Sequence, residues 1–143
     1  MIAQSEGNRL HPALLVVLIL LALLIGGFSL FVGYHKALSP LETLAKNSAW
    51  TAHLPVWLGR AVGWAELAAA VPLFAGLTMR RLAVAGYFAA IWITLNHMAA
   101  TVIHVIHEEW HTLTQSAVVI TLCLVMVAIY RIRASGNQLR GGI

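Results

Sequence analysis

The sequence predicts an all-α protein, a four-helix transmembrane bundle with both termini in the cytoplasm. Hydrophobic residues make up 60% of the 143 positions, and charged residues make up only 10%. A soluble domain carries about 25% charged residues, whereas the mean hydropathy here reaches +0.83. Four long apolar stretches fill almost the whole chain. These observations exclude the class of soluble globular proteins.

Each of the four stretches is long enough to cross a bilayer as a helix, because a span of the ~30 Å hydrocarbon core needs about 20 apolar residues. The predicted spans cover residues 13–34, 55–77, 82–106 and 113–130. The first apolar run exceeds the core of a signal peptide, which is about 7–15 residues long, so we expect it to be retained. The spans form a single domain over residues 1–133. A flexible, glycine-rich cytoplasmic tail is predicted over residues 134–143.

The orientation is predicted from basic residues in short connections, which favour the cytoplasmic side. With four spans, both ends of the chain and the turn between the second and third spans share one side. Six arginines fall there: Arg9, Arg80, Arg81, Arg131, Arg133 and Arg140. Only Lys36 and Lys46 fall on the other side. We therefore expect a multi-pass protein of the cell inner membrane, whose pI of about 9.9 reflects contact with anionic lipid and not with nucleic acid.

Two connections carry structural signals of their own. Thr78 to Arg81 form a tight turn, which predicts that the second and third spans are antiparallel neighbours. In the first connection, Ser39-Pro40-Leu41-Glu42 matches a capping box with proline at the first helical position. We expect a short interfacial helix over residues 40–46, lying on the membrane surface.

Glu66 is the clearest candidate for a functional residue inside the membrane. It lies about 11 residues into the second predicted span, at a depth of ~16 Å and hence close to the midplane. Ionisable groups at that depth cost about 2.5–3.5 kcal/mol on insertion scales, and function is their default explanation. Gly59, Gly63, Glu66 and Ala70 share one face. Since such a stripe of small residues admits a neighbouring helix, the carboxylate is predicted to point into the bundle.

The third predicted span carries a matching stripe that includes Gly86, Ala90 and His97. His97 lies at a depth comparable to that of Glu66, and the tight turn makes a Glu66–His97 contact sterically reasonable. Two interpretations stay open. The contact either satisfies two buried polar groups as structural glue, or it is a proton-carrying pair at the head-group site of a quinone.

The functional interpretation assigns roles to five residues. Glu66 and His97 are the catalytic candidates, because they would handle protons. Arg60, Asn96 and Thr101 are the candidates for lining the cofactor pocket. Arg60 is about 7–8 Å deep, so it either pairs with Glu66 or extends its side chain to the interface.

Five of the seven histidines lie in or beside the connections that join the first span to the second and the third to the fourth. His104, His107 and His111 share one face if the third helix continues, and such imidazoles suit zinc, copper, iron or nickel. Residues 107–111 also match the metalloprotease pattern His-Glu-x-x-His. The charged Glu109 inside the motif, the nearby helix end and the lack of a downstream third ligand argue against a protease. The remaining interpretation is a polar, pH-sensitive helix end.

Two segments resemble the DoxX-like family of small four-helix membrane proteins. Residues 63–70 read GWAELAAA, and residues 81–88, after a basic turn, read RLAVAGYF. The resemblance extends over about residues 34–133 and carries over Glu66 as the residue that matches the family. It implies a redox association, since relatives include the membrane subunit of a thiosulfate:quinone oxidoreductase and proteins of oxidative-stress systems. The histidine run is not part of the family's pattern.

The leading functional expectation is a DoxX-like subunit that binds a quinone or anchors a redox partner protein in the membrane. The chain lacks a Rossmann glycine fingerprint, a Cys-x-x-Cys pair and a P-loop, so nucleotide binding and dithiol chemistry are not expected of it. One alternative is a metal-handling protein that uses His104, His107 and His111. Another is a structural or assembly protein, and the small-residue stripes permit a homo-oligomer. At this stage the sequence does not decide whether the chain is an enzyme.

Overall fold

A computed structural model describes residues 10–138. Over that range the chain forms five α-helices and no strand: α1 (Pro12–Leu38), α2 (Leu41–Lys46), α3 (Val56–Thr78), α4 (Ala83–Ile106) and α5 (Leu113–Gln138). Short 3-10 turns occupy Trp50–His53, Arg80–Leu82 and Trp110–Thr112. Four helical segments are long and apolar enough to cross a membrane: Pro12–Leu38, Val56–Thr78, Arg80–Ile106 and Trp110–Ser135. The prediction of four apolar spans is confirmed.

The four long helices form a ring in the order α1, α3, α4, α5, in which α1 and α5 are the most loosely packed neighbours. α3 and α4 pack together, as the tight turn between them predicts. We call the end that carries α2 and the turns Trp50–His53 and Trp110–Thr112 the histidine end. The opposite end, at the turn Arg80–Leu82, is the arginine end. Many large apolar side chains on the outside of the ring are exposed, which is the surface that contact with lipid requires.

Glycines allow α1 and α3 to approach closely near the histidine end. A Cβ added to Gly63 would lie 2.5 Å from the backbone nitrogen of Ala37 and 2.9 Å from the carbonyl oxygen of Gly33. Because only hydrogen fits there, the two backbones are in direct contact. The predicted stripe of α3 is buried along its length. At Gly63, however, the helix packed against it is α1, and not the third predicted span.

The arginine end is filled by an aromatic side chain. Tyr130 is fully buried, and its hydroxyl donates a hydrogen bond to the carbonyl oxygen of Leu73. Its ring packs on Gly76 and Gly86, where an added Cβ would lie 3.0 Å and 2.6 Å from ring carbons. Arg133 donates to the carbonyl oxygens of Gly76 and of the following residue, at 3.1 and 2.8 Å. These carbonyls belong to the last turn of α3, so Arg133 caps that helix.

The end of α1 is capped in the same manner by Arg60 of α3. Its guanidinium donates to the carbonyl oxygens of Lys36 and Ser39 at 2.8 and 2.6 Å, so Arg60 does not pair with Glu66. Ser39 ends α1, and its hydroxyl pairs with His35 Nδ1 at 2.9 Å. Since that hydroxyl is engaged with α1 and α2 has no side-chain cap, the predicted capping box is wrong. A short helix does follow at Leu41–Lys46, and its position on the membrane surface stays a prediction.

Two boundaries differ from the sequence-based ones. α1 continues to Leu38, past the predicted end of the first span at residue 34. α5 continues to Gln138 and therefore includes the first residues of the segment predicted as a flexible tail from residue 134. Residues 139–143 of that segment lie outside the described residues. So do Arg9 and Arg140, which contributed to the predicted orientation.

Candidate functional site

Glu66 lies at the centre of a buried polar network that joins three helices. Its Oε1 accepts one hydrogen bond from Lys36 Nζ of α1 and another from Asn96 Nδ2 of α4, both at 2.6 Å. The Lys36 and Glu66 side chains are only 4% and 3% exposed. Glu66 Oε2 is buried and has no hydrogen-bond partner within residues 10–138. The carboxylate therefore points into the bundle, as the sequence predicts, and it pairs with a cation.

The prediction that Glu66 contacts His97 is wrong: the partners of its carboxylate are Lys36 and Asn96. His97 lies on the same helix as Asn96, but its ring packs near that of Phe28, with the ring centroids 5.8 Å apart. Its side chain forms no hydrogen bond with any residue of the described range. The two positions diverge because consecutive residues of a helix are separated by about 100°, so Asn96 faces α3 whereas His97 faces a cavity.

Lys36 is the functional candidate that the sequence analysis missed. It was assigned to the outer connection because the apolar run ends near Tyr34, but α1 contains it within its last turn. The spacing carried a usable signal. Ser29, Gly33 and Lys36 are separated by four and three residues, so they share the buried face of α1. A lysine at the end of such a small-residue face is placed to meet a carboxylate on the neighbouring helix.

A cavity of about 440 Å³ opens beside this network, at the histidine end between α1, α2, α4 and α5. Apolar side chains form much of its wall, among them Phe28, Phe31, Val32, Leu44, Trp50 and Ala100. Its polar wall consists of Lys36, three histidines (His35, His97 and His104) and six hydroxyl or amide side chains (Thr43, Asn47, Ser48, Thr112, Gln115 and Ser116). No aspartate or glutamate of the described range lines it. Hydrogen-bond donors therefore converge on a mostly apolar space of ligand size.

The predicted pocket residues divide between the cavity and its support. His97 lines the cavity, but Glu66, Asn96, Arg60 and Thr101 do not. Glu66 and Asn96 form the network behind Lys36. Arg60 caps α1. Thr101 Oγ1 donates to the carbonyl oxygen of His97 at 2.8 Å within α4, so it is a local helix contact.

The sequence left open whether the third helix continues through His111, and the structure shows that it does not. α4 ends at Ile106, and Glu108 adopts a left-handed φ of 58°. The amide of Glu109 then bonds back to the carbonyl of His104 at 2.9 Å, and that of Glu108 to the carbonyl of Val105 at 3.2 Å. This is a Schellman ending, with glutamate where glycine is usual, which is why the sequence did not reveal it.

The same ending closes α2, because Ser48 has a φ of 50° and the amide of Ala49 bonds back to the carbonyl of Leu44 at 2.9 Å. The two turns bring the connections of the histidine end together. His111 Nε2 lies 3.3 Å from Ser48 Oγ. The rings of His53 and His107 are stacked, with centroids 3.7 Å apart.

Glu109 joins the two connections through two histidines. Its Oε2 lies 2.6 Å from His104 Nδ1, and its Oε1 lies 3.3 Å from His53 Nε2. Burial acts to raise the pKa of the Glu109 carboxyl, but the hydrogen bonds from His104 and His53 outweigh burial, so that the pKa lies below its ordinary value of 4.5. At neutral pH the carboxylate is therefore ionised and links both imidazoles.

The proposed metal ligands do not share a face. His104 bonds to Glu109, His107 stacks on His53, and His111 pairs with Ser48. Within residues 10–138, no group of three or more histidine, cysteine or acidic side chains has an arrangement that could hold a metal ion. The His-Glu-x-x-His segment spans a turn and not a continuous helix, which removes the geometry that a metalloprotease needs.

Comparison with known proteins identifies the family. The family model described as DoxX-like matches residues 12–128. The chain belongs to the DoxX-like family. The matched region runs from α1 into α5 and contains Lys36, Glu66 and His97. No curated protein and no solved structure matches the chain. Family membership and the four apolar helices together identify a multi-pass membrane protein.

Proposed function

We propose that this DoxX-like protein binds the head group of a quinone-type lipid in the cavity at the histidine end, as a subunit or membrane anchor of a redox system. The observation that carries the proposal is the cavity itself. It has the volume of a small-molecule site, about 440 Å³, and an apolar wall interrupted by a few convergent polar groups. A quinone ring presents apolar faces and carbonyl oxygens, which suit that combination.

Two cavity residues are the strongest candidates for contact with the ring oxygens. Lys36 is buried and gives one N–H to Glu66 Oε1, which leaves two of its three ammonium N–H groups for other acceptors. His97 has no side-chain partner within the described range, so a ring nitrogen of this histidine is available to a ligand. A hydrogen bond that involves a charged group contributes about 1.5–3 kcal/mol, which is enough to orient a head group.

The bundle offers such a ligand a route from the bilayer. α1 and α5 are its most loosely packed neighbours, and both contribute to the cavity wall, through Phe31 and Val32 on one side and Gln115 and Ser116 on the other. A quinone with a long isoprenoid tail would enter through this seam and leave its tail in lipid. In the orientation that the arginines favour, the histidine end faces away from the cytoplasm.

The proposal assigns electron transfer to a partner protein. The sequence contains a single cysteine, Cys123, buried in α5, and none of the nucleotide-binding motifs that redox enzymes use. The chain would therefore supply the quinone site and the membrane anchor, and the partner would supply the electrons. The redox partner and the location in the inner membrane belong to this proposal.

Filling the cavity is the direct test. Ala100 lines the cavity and is 2% exposed, whereas its neighbour Ala99 faces outward. Isothermal titration of a short-chain quinone analogue into protein in nanodiscs should show saturable binding. Ala100→Leu should weaken that binding at least about tenfold, equivalent to about 1.4 kcal/mol.

Ala99→Leu is the matched control, since it adds the same side chain one residue away on the lipid side. It should bind the analogue as the wild type does, and both variants should keep the wild-type helicity and unfolding temperature to within a few degrees. Absence of binding to the wild type, or equal binding by both variants, would contradict the proposal.

A further inference from the structure

The polar wall of the cavity is unbalanced in its hydrogen-bonding chemistry. Lys36 is a donor-only group, and the histidine, hydroxyl and amide side chains can all donate as well. Acceptor-only side chains are missing from the described lining: Glu66 lies behind Lys36, and Glu109, which bonds to His104, also lies outside the cavity. Because the histidine, hydroxyl and amide side chains can also accept, the bias of the wall toward an accepting ligand oxygen comes from Lys36.

Among the polar residues of this wall, Lys36 is the one that can only donate hydrogen bonds. It is held from behind by Glu66 Oε1 at 2.6 Å, and that same oxygen is fixed by Asn96 Nδ2 at 2.6 Å. The indole of Trp50 lies beside it, with Nζ 5.2 Å from the ring centroid. These contacts restrict the ammonium to the boundary between network and cavity. The side chain does not need to lose much further freedom when a ligand arrives.

Glu66 reaches this position because glycines remove the side chains that would separate α1 from α3. An added Cβ on Gly33 would lie 3.0 Å from Glu66 Cβ, so the carboxylate-bearing turn of α3 lies directly against the lysine-bearing face of α1. The network therefore presents a fixed cation to the cavity and keeps its balancing anion out of reach of the ligand.

We propose that Lys36 discriminates between the two redox forms of the ligand, binding the oxidised quinone more tightly than the reduced quinol, with Glu66 and Asn96 as positioning residues. This inference depends on the proposed function. The quinone ring carries carbonyl oxygens that only accept, and these match the ammonium N–H groups. The quinol carries two O–H donors, for which the cavity provides no carboxylate.

The reduction potential of the bound ligand reports this preference. In mediated electrochemical titration of nanodisc-embedded protein with a short-chain quinone analogue, tighter binding of the oxidised form lowers the two-electron midpoint potential. A tenfold preference corresponds to about 30 mV. We expect the wild type to bind the quinone about tenfold more tightly than the quinol, and to lower the midpoint potential accordingly.

The decisive variant is the double substitution Lys36→Met with Glu66→Gln. It removes both charges, so no unpaired ion remains in the bundle and folding is preserved. The double variant should lose the preference, with quinone and quinol affinities within about twofold of each other and the potential close to that of the free analogue. The single variant Asn96→Leu, which leaves Lys36 and Glu66 in place but frees the carboxylate, should show an intermediate potential.

The outcomes separate this inference from the proposed function. If the wild type binds both forms equally, or if the double variant keeps the preference, the role of Lys36 is wrong while quinone binding stands. If the wild type binds neither form, the proposed function fails, and this inference fails with it. A structural role of Lys36 alone would change the unfolding temperature but not the ratio of the two affinities.

Discussion

The two ends of the bundle use the same capping device but differ in what they enclose. At each end an arginine from a neighbouring helix donates to the last carbonyl oxygens of another helix, Arg60 to α1 and Arg133 to α3. At the arginine end the interior is filled by Tyr130, which packs on two glycines. At the histidine end the interior holds an ion pair, Lys36–Glu66, and a cavity of about 440 Å³.

The difference shows how one bundle combines stability with a site. The arginine end buries a neutral side chain whose single polar atom is satisfied by a backbone carbonyl, an arrangement with a small desolvation penalty. The histidine end buries two charges and leaves one carboxylate oxygen without a partner among the residues that the structure describes. Buried ion pairs are weak contributors to stability, so a packing role alone is a poor explanation for this one.

The largest destabilisation is expected when one member of the ion pair is removed. Lys36→Met leaves the Glu66 carboxylate buried without a cation, and should destabilise the protein by about 3–5 kcal/mol. The matched change at the other end, Tyr130→Phe, removes one neutral hydrogen bond and should cost about 1 kcal/mol. Chemical unfolding in detergent micelles, followed by circular dichroism, measures both. If Lys36→Met lowered the free energy of unfolding no more than Tyr130→Phe does, the proposed difference between the two ends would be contradicted.

An intermediate effect is expected from the glycines, and it sharpens the contrast between the ends. Gly63→Ala places a methyl group against backbone atoms of α1, and Gly86→Ala places one against the Tyr130 ring at 2.6 Å. Each should destabilise by about 1–3 kcal/mol. Only the clash made by Gly86→Ala should be relieved by a smaller neighbouring side chain, because the Tyr130 ring can be replaced by substitution whereas the backbone of α1 cannot.

The double variant Gly86→Ala with Tyr130→Leu should therefore be less destabilised than the sum of its single changes, which a double-mutant cycle detects. Gly27→Ala serves as the control, since an added Cβ there meets no atom within 4 Å. Stability should be unchanged or slightly raised in that variant. If the destabilising effects of the two substitutions were additive, contact between Gly86 and the Tyr130 ring would not be what limits packing at the arginine end.

The smallest effect on stability is expected from a change at the histidine end, and only at acid pH. The pKa of Glu109 is lowered in the folded protein below its ordinary value of 4.5, so its contribution to stability is present above about pH 4.5 and is lost as the pH falls through the folded value. Glu109→Gln should therefore remove part of the fall in unfolding temperature between about pH 6 and about pH 3. Wild-type and variant curves that stay parallel over this range would exclude the link through Glu109.

The sequence predicted correctly those features that depend on a single helix. Span number, the buried stripe of α3 and the inward direction of Glu66 all follow from apolar length and the helical repeat. It said less about the turns that follow the helices, although the predicted end of the third span at residue 106 matches the end of α4. The end of α4 at Ile106 depends on left-handed backbone at Glu108, a conformation that glycine usually marks. Without that marker, the sequence left open whether the helix continues and whether His104, His107 and His111 share a face.

The sequence by itself determined that the chain has four helices long and apolar enough to cross a membrane and that a carboxylate lies inside the bundle, because hydrophobic length and helical periodicity are local properties. Only the tertiary structure decided which residues meet. The pairing of Glu66 with Lys36 and Asn96 depends on the glycine contact between α1 and α3, and the cavity is lined by residues of α1, α2, α4 and α5. Both are properties of how helices from distant parts of the chain pack: the spacing of Ser29, Gly33 and Lys36 marks a buried face of α1, but it does not identify the helix that packs against that face.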